Sequence, residues 1–153
     1  MPRFEVTSQI AAPASRCFDA ARDIDLHQAS LSHTGERAVG GRTRGLIGLG
    51  ETVTWRARHL GVVQHFTSQI TAFDPPRYFQ DRMIRGAFAS FVHDHCFGEI
   101  DGRTTMRDVI EFRSPLDPLG WLADTLFLRG YLERLITRRA AALWRALEVP
   151  STL

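Results

Sequence analysis

The sequence predicts an α+β fold in which a strongly curved antiparallel sheet wraps around a long C-terminal helix. Two observations carry this. Between residues 51 and 112 the chain alternates apolar and polar positions in runs of strand length, separated by turn dipeptides. Asp117-Pro118 then opens a stretch of helical spacing that runs to about Leu147; at ~1.5 Å per residue it reaches ~45 Å. The order is one strand, two short helices, a run of strands and one long helix. A bent sheet packed on that helix is its simplest architecture.

Arg3 to Ile10 forms the first strand, with Phe4, Val6, Ser8 and Ile10 on one face. Pro13 opens a short helix that carries Cys17, Phe18 and Ala21 inward. Asp23 is placed to cap a second one, with Ile24, Leu26 and Leu31 as its apolar side. Six glycines between Gly35 and Gly50 describe an edge strand and turn. GLIGLG at 45–50 has no helix after it and no lysine, so a phosphate-binding loop does not fit.

Glu51 to His59 places Val53, Trp55, Ala57 and His59 on one face. Leu60-Gly61 turns the chain back through Val62 to Phe73, which sets Trp55 opposite Phe66. After Asp74-Pro75-Pro76, strands follow over 77–83, 88–99 and 103–112. Asp101-Gly102 is a strong signal for a two-residue hairpin loop. The long helix is apolar almost all round in its first half, at Leu119, Trp121, Leu122, Leu126 and Phe127. Its second half carries a stripe of Leu132, Leu135, Ile136 and Leu143.

The chain has 153 residues, 44% of them hydrophobic, and is expected to fold as one domain over 1–153. All 19 basic residues are arginine, and asparagine is missing too. Without lysine there is no Schiff base and no pyridoxal anchor; without asparagine there is no Cys-His-Asn arrangement. No cofactor motif stands in the sequence. The arginines alternate with acidic and apolar residues, and the one cluster, Arg134, Arg138 and Arg139, reads as a solvated helix face. No basic stripe points to nucleic acid. Cys17 and Cys96 lie far apart with no CxxC, as expected of a reduced cytoplasmic protein, and no run has the length of a membrane span.

The informative feature is polar. If Asp101-Gly102 closes a two-residue loop, His95 falls opposite Asp108, Phe97 opposite Met106, His93 opposite Ile110 and Phe91 opposite Phe112. An apolar face then carries a His95–Asp108 couple, with His93 on the same side ~7 Å along. A three-residue loop at Ile84-Arg85-Gly86, with Gly86 left-handed, would set Asp81 opposite Ala89 on the same wall. Ionisable groups on a buried face are paired or used. One reading is mutual satisfaction inside the core. Another is a ligand handle or general base, since a carboxylate fixes the tautomer of its imidazole. His93, His95 and a carboxylate have metal-ligand types, but no fourth ligand is evident and no metal is assigned. His27 and His33, beside Asp23 and Asp25, read as solvated surface.

Several segments together carry a resemblance. They are Pro13 to Phe18, TWRARHLG at 54–61, PPRYFQDRMIRGAF at 75–88, FVHDHCF at 91–97, TTMRDVIEF at 104–112 and SPLDPLGWLAD at 114–124. In this order the chain resembles the START-like helix-grip (SRPBCC) superfamily, in its polyketide cyclase/dehydrase-like or coenzyme-Q-binding-like branch. The resemblance implies an elongated apolar cavity between sheet and C-terminal helix. It implies a lipid, isoprenoid or polyketide-like ligand there. Trp55, Asp81, Phe91, His93, His95, Met106, Asp108 and Ile110 are the expected lining, with the Gly40–Gly50 loop and long helix as gates. A cyclase or dehydratase with His95 as base and Asp108 as its partner is the alternative. A protein-interaction module is the second, and its apolar helix surface would also suit a homodimer.

Overall fold

A computed structural model describes residues 2–115 and 127–148. Among these described residues seven antiparallel strands form one open sheet in the order β1-β7-β6-β5-β4-β3-β2. They are β1 (Arg3–Ile10), β2 (Arg37–Gly41), β3 (Thr52–His59), β4 (Val62–Asp74), β5 (Tyr78–Arg85), β6 (Ser90–Ile100) and β7 (Arg103–Arg113). Helices α1 (Ala14–Ala21) and α2 (Ile24–Ser30) follow β1, and α3 (Arg129–Glu148) closes the described chain. This is the helix-grip arrangement. The expected start of the long helix at Asp117-Pro118, with Leu119, Trp121, Leu122 and Leu126, lies outside the described residues.

Local chemistry sets each register. Leu60 and Gly61 both have positive φ, at 53° and 78°, as do Asp101 and Gly102, at 53° and 77°. Both pairs adopt the left-handed turn whose twist matches that of the flanking strands. Accordingly Trp55 pairs with Phe66, and the β6–β7 ladder runs unbroken from Ile100↔Arg103 to Ser90↔Arg113. Bulges at Ala38/Gly40, Thr67/Ser68 and Ile70/Ala72 bend β2 and β4. Gly41 is required: at φ 66° an added Cβ would lie 2.2 Å from the Thr52 carbonyl oxygen.

The Asp23 carboxylate caps α2, accepting from the backbone N–H of Asp25 and Leu26. The sheet's inner face and the helices share two apolar clusters. One gathers Ile10, Phe18, Phe79, Phe97, Met106 and Leu143. The other gathers Phe4, Phe91, Ile110, Phe112, Leu132 and Ile136. Helix α3 packs on β1, α1 and α2. Strand alternation puts Phe91, His93, His95 and Phe97 of β6 inward, alongside Thr104, Met106, Asp108 and Ile110 of β7. Both cysteines are free thiols, and among the described residues no helix is long and apolar enough to cross a membrane.

Candidate functional site

Across the middle of the sheet, three strands build a polar square inside an apolar face. Phe79, His95 and Asp108 form one row across β5, β6 and β7; Asp81, His93 and Ile110 form the next. The expected position of Asp81 opposite Ala89 is corrected: it pairs with His93. The β5–β6 ladder stops at Arg82↔Val92, and the chain from Met83 to Phe91 leaves it as an open connection. Gly86 is not left-handed there.

The shortest bonds run diagonally between the two rows, one across β6–β7 and one across β5–β6. His93 Nε2 meets Asp108 Oδ1 at 2.8 Å, and His95 Nε2 meets Asp81 Oδ2 at 2.7 Å. The directly opposed pair expected from the hairpin, His95 with Asp108, is the longer contact at 3.2 Å. The two imidazoles stack with centroids 3.7 Å apart, and Phe79 stacks on His95 at 4.0 Å.

Proton positions follow from the partners. An ionised carboxylate only accepts, so each nitrogen that meets one carries a proton. Both His95 nitrogens meet carboxylates, which makes His95 an imidazolium. Burial alone would lower its pKa, but the contacts with Asp108 and Asp81 outweigh burial and hold it above the ordinary value. His93 moves the other way: burial and the adjacent positive charge of His95 push it down, beyond what Asp108 restores. His93 is therefore neutral, with its proton on Nε2 and Nδ1 left as an acceptor. Burial raises both aspartates, yet the histidines overcompensate and hold each below the usual carboxylate range. Ligand atoms of Asp81, His93 and His95 all lie within 4.8 Å of one another. In this bonding both His95 nitrogens carry protons and offer an ion no lone pair.

A cavity of about 200 Å³ lies between the sheet and α3. Trp55, Phe66, Ile70, Phe79 and Phe91 line it from the sheet, and Leu132, Leu135 and Ile136 from the helix. Of the residues expected as lining, Trp55, Asp81, Phe91 and His93 reach it. His95, Met106, Asp108 and Ile110 do not; they are buried behind that wall.

Two lining groups expected at the surface, Arg139 and His27, escaped the sequence reading. Arg139, expected on a solvated face, is 8% exposed and lines the cavity. Leu132, Ile136, Arg139 and Leu143 fall at helical spacing, so the signal was its place on the apolar stripe. His27, also expected at the surface, bonds Glu36 at 2.7 Å and stacks on Trp55 at 4.0 Å. Burial and Arg139 lower the His27 pKa, while His27 holds Glu36 below its usual range against the opposing effect of burial. The signal there was Ile24, His27 and Leu31 on one helix face. At the cavity rim His59 Nδ1 meets the Tyr131 hydroxyl at 2.6 Å.

Residues 1–148 match the family described as polyketide cyclase / dehydrase and lipid transport. Among curated proteins no sequence matches. Among solved structures, TTHA0849 from Thermus thermophilus superposes with a TM-score of 0.79 at 16% identity, over 99% of this chain and 100% of that one. An aromatase/cyclase from Streptomyces sp. R1128 gives 0.70 at 16% identity, over 99% of each chain. A START superfamily protein from Mycobacterium smegmatis gives 0.72 at 12%, over 95% of this chain and 97% of that one. At these identities the structures are alike in fold.

Proposed function

The chain belongs to the polyketide cyclase / dehydrase and lipid transport family, and on that premise we propose that it binds a small hydrophobic or amphipathic molecule between sheet and C-terminal helix. The observation that carries this is the cavity of about 200 Å³, walled by aromatic and aliphatic side chains with Asp81 and His93 on one side. Large apolar groups around a few fixed polar ones are the usual make-up of a ligand site. Apolar burial drives uptake; the polar wall orients what enters. An organic extract of the purified protein, read by mass spectrometry, should contain a stoichiometric apolar compound. An empty extract, together with no uptake from a panel of lipids, isoprenoids and polyketide-like aromatics, would sink this reading.

A second reading, a cyclase or dehydratase, is favoured by one specific observation. His93 borders the cavity, Asp108 fixes its tautomer through Nε2 at 2.8 Å, and its unprotonated Nδ1 makes no short bond, the nearest carboxylate oxygen being that of Asp81 at 3.9 Å. That is the geometry of a general base. His95 was the expected base, but both of its nitrogens are engaged, so the role passes to His93. His93→Gln should then abolish turnover of an enolisable polyketone while ligand uptake persists. Equal turnover in His93→Gln and wild type rejects the enzyme reading alone.

A further inference from the structure

We propose that the ligand carries a carboxylate and that Arg139 on α3 receives it; this deepens the binding reading above and rests on it. The inference starts from a buried charge that no described residue pairs directly, although Glu36 and Asp81 feel it across the cavity. Arg139 is 8% exposed, on the apolar stripe of α3. Its guanidinium cannot shed its proton. Of its five N–H donors, Nη2 bonds the Ala21 carbonyl at 2.7 Å, and Nε is buried without a partner. Among the described residues it forms no ion pair. The two cavity acids whose pKa its charge lowers are hydrogen-bonded elsewhere: Glu36 to His27 at 2.7 Å and Asp81 to His95 at 2.7 Å.

A buried, under-bonded guanidinium lining an apolar cavity is costly unless something completes it. The group that fits its planar fork is a carboxylate, which accepts two parallel N–H bonds. The cavity also sets the size of the rest. At about 200 Å³ it takes a medium-length chain or a small ring system. Leu60 lines the cavity and is 55% exposed, which marks the side where a longer tail would emerge.

Calorimetric titration of the full chain with octanoate and with 1-octanol at neutral pH tests this. Octanoate should bind roughly tenfold more tightly than 1-octanol, the worth of one charge-assisted pair. In Arg139→Gln that preference should shrink to about twofold or less, while Arg139→Lys keeps part of it as a point charge. Arg134→Gln, an exposed change on the same helix, should leave it intact. An Arg139 that only caps α1 through Ala21 would give equal affinities in the wild-type protein, and that result overturns the inference without using a variant. Binding of 1-octanol but not octanoate also overturns it and leaves the binding reading standing. Binding of neither overturns the inference, and the binding reading is then decided by the extract and the uptake panel.

Discussion

His93 reaches past Ile110, its directly opposed neighbour on β7, to bond Asp108 at 2.8 Å along the diagonal. Diagonal neighbours on a sheet lie within reach of long side chains. The consequence is that Asp108 serves two histidines at once, since His95 lies 3.2 Å from the same oxygen.

Asp108→Asn should therefore be severe. It leaves the His95 imidazolium with half its counter-charge at a position where the aspartate is 4% exposed. Breaking a buried ion pair from one side costs about 3–5 kcal/mol. Urea unfolding should show a lower midpoint at unchanged slope. A loss below about 1 kcal/mol, the scale of surface pairs, would mean that the square is not held by charge.

The two imidazoles should titrate on opposite sides of the ordinary 6.5. His95 lies above it when folded, so its contribution to stability is complete below pH ~6.5 and is lost as pH rises through its folded pKa. His93 lies below it, so its contribution is present above pH ~6.5 and is lost as pH falls through its folded pKa. Asp108, held below 3.8, adds stability that is lost only in stronger acid, as pH falls through its own folded value. Histidine Cε1–H shifts followed by NMR check this directly. Coincident titration of both rings near the ordinary value would contradict the assignment.

Two isoleucines of the same cluster should differ in what truncation costs. Ile110 is fully buried behind the cavity wall, whereas Ile136 already borders empty space. Ile110→Ala creates a new void in close packing and should cost about 4–5 kcal/mol, the upper end for such changes. Ile136→Ala merely enlarges an existing space and should cost about 2 kcal/mol. It should also admit a bulkier ligand, visible as a shift in preferred chain length. Equal losses at both positions would argue that the space beside Ile136 is not there in solution.

Much of the sheet was legible because its turns were. Leu60-Gly61 and Asp101-Gly102 each impose a loop length, and loop length fixes which residues face each other. From the second of these the pairing of His95 with Asp108 and of His93 with Ile110 follows by counting. Asp81 was misplaced because the β5–β6 connection is open, with no tight turn to count from. The diagonal bonding was hidden for another reason: strand periodicity gives the face a side chain occupies, not the direction in which it leans. Arg139 and His27 were hidden because a charged type was weighed above its position. Each sits at an apolar spacing on its helix, and spacing was the stronger guide.

Among the described residues, strand β1 lies at one edge of the sheet and pairs only with β7, Arg3 against Glu111 through Ile10 against Thr104. During ribosomal synthesis β1 emerges long before β7, its partner strand, exists. The β6–β7 hairpin, by contrast, can close as soon as it is translated. The amino-terminal strand is thus among the last pieces of sheet to dock. A chain stalled before residue 104 carries Phe4 and Ile10 with no strand to cover them, an exposure of the sort that chaperones meet.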